Sequence, residues 1–160
     1  MPVGSSSRHY ALVPTRVWDG SAERAATGQA VLVAGSLIEA LLPARRLPRG
    51  VPRILLPGCT LLPGLIDAHV HFCAWMGPAF LAAGVTTIRD VGNAEAWILK
   101  RRAWARAHPY ASPRIFCCGP LLDGPKAHWP IMGRAHADRS AIERSVHTLA
   151  ARGVDAIKLS

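Results

Sequence analysis

Residues 63–72 read Pro63-Gly64-Leu65-Ile66-Asp67-Ala68-His69-Val70-His71-Phe72. Pro-Gly ahead of an apolar run marks a sharp turn into a buried strand. Asp67, His69 and His71 within that run are spaced by two. Residues two apart on an extended strand project to the same side, so the pattern points three polar groups one way. Polar groups buried without partners are costly, which requires something opposite them. Two neutral imidazoles beside a carboxylate suit a borderline cation such as Zn²⁺. A bare His-x-His pair is a common coincidence; the turn and the apolar strand around it give this one its weight.

Downstream the chain alternates strand and helix, the mark of a parallel α/β architecture. Leu65 to His71 is the first strand of this region, and Gly77-Pro78 opens a short helix over 79–83 that Gly84 ends. The β-branched run Val85 to Val91 gives a second strand. Asn93 is placed to cap a helix running from Ala94 to Ala107. Ser112-Pro113 leads into a third strand, Arg114 to Cys118, and then into a long polar, proline-containing loop over 119–136. Ser140-x-x-Glu143 reads as a capping box. It opens a helix whose apolar residues Ile142, Val146 and Leu149 recur at helical spacing. Gly153 closes that helix, and Val154-Asp155-Ala156-Ile157-Lys158-Leu159 reads as a fourth strand.

Upstream, short strand-forming runs are separated by turns: Tyr10 to Val13, then Gln29 to Leu42 folded back at Gly35-Ser36. A loop rich in proline and arginine leads to Arg53–Leu62, interrupted by Pro57-Gly58. Such spacing indicates a small β-sandwich-like module. The chain therefore divides into residues 1–62 and 63–160.

The composition, 50% hydrophobic and 18% charged over 160 residues, is that of a globular protein and excludes disorder. The net charge of +9 raises nucleic-acid binding as a possibility. Its arginines are scattered, however, apart from Arg45-Arg46 and Arg101-Arg102, and no zinc-finger spacing or aromatic RNA-binding motif accompanies them. Solvated basic faces are the favoured reading. Cys59, Cys73, Cys117 and Cys118 form no C-x-x-C pair and no disulfide framework. The start lacks the apolar core of a signal peptide, and no run is long and apolar enough to span a membrane. A reducing cytoplasm is the expected setting.

The string Leu62-Pro63-Gly64-Leu65-Ile66-Asp67-Ala68-His69-Val70-His71 closely resembles the first barrel strand of the metal-dependent amidohydrolase superfamily. Gly84 to Gly92 resembles the second strand, and Gly153-Val154-Asp155-Ala156-Ile157-Lys158 the fourth-strand motif of the binuclear members. The branch it resembles is the imidazolonepropionase-like and Xaa-Pro dipeptidase-like one. The resemblance implies an α/β fold: about the first four strands of a TIM (β/α)₈ barrel, preceded by the N-terminal part of a small β-domain. It implies hydrolysis of an amide, lactam or peptide-like C–N bond of a small-molecule substrate by a metal-bound hydroxide.

On that resemblance His69 and His71 bind the more buried of two divalent ions, expected to be zinc. Lys158, carboxylated by carbon dioxide, bridges the two. On the residues alone Lys158 has two readings, an ammonium snorkelling to solvent at a strand end or a site residue at the mouth of a parallel sheet. A lysine desolvated by apolar neighbours loses its proton more readily, which suits attack on carbon dioxide. Asp67 is expected behind the metal, orienting an imidazole. Arg89 and Asp90 are expected to form an ion pair or to orient a loop. His128, on the loop facing the expected catalytic end, could touch substrate, although a plain surface histidine is the blander reading. His9, His108, His136 and His147 read as exposed, and Cys73, Cys117 and Cys118 as small buried hydrophobes.

No catalytic residue is identified within the chain: the family's proton-transferring aspartate and two further histidines have no counterpart. A whole barrel takes about 250 residues, and about a hundred follow Pro63. The chain is thus expected to be an N-terminal portion, poorly stable and inactive by itself. The alternative is a non-catalytic remnant of such an enzyme. Substrate, metal identity and oligomeric state are left open.

Overall fold

In the computed structural model, which describes residues 9–160, one unit ends at Pro63 and a second begins at Gly64. The first holds β1 (His9–Val17), β2 (Ala26–Thr27), β3 (Gln29–Ala34), β4 (Leu37–Pro43) and β5 (Arg53–Leu61). β3 pairs antiparallel with β1 and β4, and β5 runs parallel to β1 on its other edge. Gly35 makes the β3–β4 turn at φ +61°, a left-handed conformation that costs little without a Cβ. β3 is buried on both faces. Ala30 and Leu32 pack with Ala11 and Leu47, while Val31 and Val33 pack with Val17 on the opposite side.

Pro57-Gly58, expected to interrupt the last run, is absorbed within β5. The register slips at Thr15 of β1, whose Oγ1 accepts the Gly58 N–H at 2.7 Å. All five strands belong to one sheet.

The second unit is α/β. Strands β6 (Leu65–Val70), β7 (Val85–Asp90) and β8 (Arg114–Cys117) form a parallel sheet in chain order. Helices α1 (Gly77–Ala82) and α2 (Glu95–Ala107) make the crossovers, and α3 (Arg139–Ala151) follows. Val70, Ile88, Ile115 and Cys117 from the strands pack with Phe72 and with Ile98 and Ala105 of α2. Truncating a fully buried residue such as Ile88 to alanine in a core of this kind costs about 2–5 kcal/mol.

The expected fourth strand does not form as a strand. Residues 154–160 run parallel to the end of β8: the Asp155 N–H reaches the Cys117 carbonyl at 2.8 Å, and the Leu122 N–H reaches the Lys158 carbonyl at 2.9 Å. Only Leu159 makes a bridge, to Leu122. One feature breaks the ladder: the Asp155 carboxylate takes the Cys117 N–H for itself at 2.8 Å.

Both helix caps also differ from expectation. Ala94, not Asn93, precedes α2 and makes no side-chain cap. At α3 the cap is Asp138, whose carboxylate accepts the Ala141 N–H at 2.8 Å, while Glu143 pairs with Arg139. An ionised acceptor outcompetes the Ser140 hydroxyl two residues later. The long loop contains two short paired strands, β9 (Leu121–Leu122) and β10 (Gly133–Arg134). His136, expected exposed, is buried with both ring nitrogens bonded. Cys73, expected buried, is exposed, whereas Cys117 and Cys118 are buried. No described helix is long and apolar enough to cross a membrane.

Candidate metal centre

His71 follows β6 directly, with its Nδ1 3.0 Å from the carbonyl oxygen of Gly92. A carbonyl can only accept, so Nδ1 carries the proton and Nε2 keeps a free lone pair. This is how proteins orient an imidazole to bind a metal. Gly92 lets the turn approach closely: a Cβ there would lie 2.3 Å from Leu121 Cδ1 and 3.0 Å from the His71 ring, so one of those side chains would have to shift. The His69 ring centre is 5.9 Å from that of His71, with the planes 71° apart. With Zn–N bonds of about 2.1 Å, two imidazoles on one ion hold their centres roughly 5–6 Å apart. The pair is therefore within reach of a single cation.

Asp90, fully buried at the end of β7, holds the turn that carries Gly92. Its Oδ2 accepts from the Phe72 N–H at 2.7 Å and from Asn93 Nδ2 at 2.6 Å, and its Oδ1 from the Gly92 N–H at 3.2 Å. Burial pushes the Asp90 pKa up, opposed by the bonds from Phe72, Asn93 and Gly92 and by nearby His71. Asn93 also donates from Nδ2 to the Phe72 carbonyl at 3.1 Å. Of the two roles expected for Arg89 and Asp90, the structure shows loop orientation by Asp90. Arg89 makes no ion pair with it; its Nε donates to the Ala68 carbonyl at 2.8 Å.

Asp67 is placed differently from expectation. Its carboxylate accepts the backbone N–H of His69 at 3.1 Å rather than an imidazole. That i to i+2 bond is an Asx-type turn, and it coincides with a register slip in β6 between Asp67 and Val70. The period-two argument that set Asp67 beside both histidines does not carry across the slip.

Lys158 is half-buried and level with Leu122, beyond the C-terminal end of β8. Its charge reaches Cys118, whose thiol pKa is pushed up chiefly by burial. Because β6, β7 and β8 are parallel, His71, Asp90 and Lys158 lie at the same end of the sheet. The histidines are brought together, and the lysine shares their end of the sheet. Among the described residues no group of three or more His, Cys, Asp or Glu side chains could hold a metal by itself. The donor set fits one side of a metal centre and does not close it.

His128 is exposed, and its backbone N–H donates to Asp123 Oδ2 at 2.8 Å. The aromatic ring that its loop lays beside the site is its neighbour's: Trp129 is stacked on His71, with centres 6.3 Å and planes 15° apart. An acidic residue ending an apolar strand before Gly-Asn is the sequence signal for Asp90; Trp129 has none beyond its place in the loop.

No family model matches the sequence, and no curated protein does. Solved structures match closely in shape. A prolidase-like protein from Bifidobacterium longum superposes with a TM-score of 0.77 at 25% identity, covering 96% of this chain and 41% of that one. A Xaa-Pro dipeptidase with bound methionine gives 0.71 at 21% identity, covering 94% of this chain and 46% of that one. Molinate hydrolase gives 0.72 at 19% identity, covering 96% and 45%. The chain spans less than half the length of each. It carries the fold of the N-terminal portion of amidohydrolase-superfamily enzymes, the family that its sequence resembles.

Proposed function

We propose that this chain supplies the N-terminal part of a metal-dependent hydrolase that cleaves an amide, lactam or peptide-like C–N bond in a small-molecule substrate. The observation that carries the reading is the lock on His71, whose proton is fixed on Nδ1 by the Gly92 carbonyl with a second imidazole close by. The solved neighbours, named as prolidases, a dipeptidase and hydrolases, support the same reaction class. In this reading His69 and His71 hold the more buried of two divalent ions, expected to be zinc. Lys158, once carboxylated by carbon dioxide on Nζ with loss of a proton to water, would be the residue shared between the two ions.

When bound, such ions polarise a substrate carbonyl and make water a better nucleophile. The chain's own residues orient the site: Gly92 sets the His71 tautomer, Asp90 and Asn93 hold that turn, and Asp67 holds the His69 backbone. Residues 1–62 are read as the N-terminal part of a small β-sandwich domain. Residues 63–160 are read as the first half of a (β/α)₈ barrel, which the sequential parallel order of β6, β7 and β8 supports. The free thiols of exposed Cys59 and Cys73 suit a reducing cytoplasm. A non-catalytic role as a metal-binding remnant is the second reading, favoured by the absence of a third conventional ligand among the described residues.

The test is Zn²⁺ binding by equilibrium dialysis. The wild-type chain is expected to take up the ion, and His69→Ala and His71→Ala each to weaken uptake at least tenfold. Equal uptake by the double variant would overturn the reading. Lys158→Ala is expected to lower the number of ions held at saturating carbon dioxide in the whole enzyme; an unchanged number would remove the bridging lysine.

A further inference from the structure

The loop that follows β8 is tied down at both ends. β9 and β10 pair across its base, and the Asp123 carboxylate accepts the His128 N–H. Buried His136 donates from Nδ1 to the Asp123 carbonyl at 2.9 Å and accepts at Nε2 from the Ser145 hydroxyl on α3 at 2.8 Å. Glu95, buried at the start of α2, is ion-paired with Arg134 from the loop and with Arg152 beyond α3. Ordering a loop so thoroughly costs conformational entropy. Yet its tip, Trp129-Pro130-Ile131, buries little: Trp129 is 52% exposed and Ile131 89%. The anchors fix the tip beside the histidine pair, with the indole nearly parallel to the His71 ring at 6.3 Å. That separation is within the offset-stacking range and leaves much of the indole surface uncovered.

We infer that Trp129 is a specificity-determining wall of the site, packing an apolar side group that the substrate carries beside the atoms held at the histidine pair. The inference rests on the metal reading above and adds the substrate class: amides or peptide-like compounds with a hydrophobic substituent next to the cleaved bond. Ligand sites are commonly built this way, with an apolar wall gripping the body and a few polar groups fixing its orientation. His128 meets Asp123 through its backbone N–H, and its ring centre is 6.2 Å from that of Trp129 on the same loop.

Two zinc-chelating probes that differ by a phenyl ring, acetohydroxamate and benzohydroxamate, test it by calorimetry on the Zn²⁺-loaded chain. Benzohydroxamate is expected to bind about fivefold to tenfold more tightly, the size of one aromatic contact. Trp129→Ala should reduce that preference, read as the ratio of the two affinities at saturating Zn²⁺, to under about twofold, and Trp129→Phe should retain most of it. An unchanged preference in Trp129→Ala overturns the inference and leaves the metal reading standing. Failure of the wild-type chain to bind Zn²⁺ through His71 overturns the metal reading and the inference with it. In the metal-free chain, Trp129→Ala should also shift the His71 ring-proton resonances through loss of the indole ring current; unmoved resonances would equally overturn the placement.

Discussion

Replacing Asp90 with alanine removes one carboxylate and strands three donors: the Phe72 N–H, the Gly92 N–H and the Asn93 amide. Phe72 and Gly92 are buried, so water cannot take the place of the lost acceptor. Each orphaned buried donor costs about 1–3 kcal/mol. Asn93 keeps its bond to the Phe72 carbonyl, which spares part of its share. Against these losses stands the cost of ionising a fully buried carboxyl, visible in its raised pKa, which alanine relieves. The balance is a loss of about 2–4 kcal/mol. Asp90→Asn keeps one acceptor oxygen for Phe72 but turns an N–H₂ toward Gly92, so about half that loss is expected.

Urea unfolding followed by tryptophan fluorescence measures the effect as a change in midpoint at constant slope. A loss below about 1 kcal/mol for Asp90→Ala at unchanged slope would refute the view that this carboxylate staples β6 to the turn after β7. The acid dependence has a definite sign. A folded pKa above 3.8 means that the native state binds the proton more tightly. Asp90's contribution is therefore most favourable below the unfolded pKa and is lost as pH rises through the raised folded value. Asp90→Asn should remove that component. The same staple carries the Gly92 carbonyl, so Asp90→Ala should also weaken Zn²⁺ binding about tenfold, as losses behind a ligand commonly do.

Gly92→Ala forces a methyl against Leu121 and the His71 ring, so Zn²⁺ affinity should fall more than stability; equal Zn²⁺ uptake by dialysis would count against the lock on His71. Asp138→Ala should destabilise the chain by about 1 kcal/mol in urea, and Ser140→Ala by a few tenths at most; the reverse order would restore the capping box. Burial pushes the Cys117 thiol up to about 11 from 9.0, so the native state keeps a proton that the unfolded state releases. Stability should thus be lost as pH rises from 9.0 to about 11, by on the order of 2 kcal/mol. Cys117→Ala should lack that share of the alkaline loss when unfolding midpoints are compared across the window.

What could be read from the residues alone was local and periodic. Pro63-Gly64, the β-branched Val85 run and the glycines that end α1 and α3 marked where the parallel strands and their helices lie, because turn sterics and side-chain period act over a few residues. His69 and His71 were visible for the same reason. Competition between distant partners was not. Asp155 takes the Cys117 N–H across 38 positions, a ladder donor that the Val154–Leu159 run would otherwise share. Asn93 serves Asp90 and Phe72 instead of its own helix, and Asp67 turns onto the His69 backbone. The buried Asp90 staple, the tautomer of His71 and the indole beside it arise only where separate strands and a returning loop converge. A hydrogen bond goes to whichever partner the packed chain brings nearest, and sequence spacing carries no record of that.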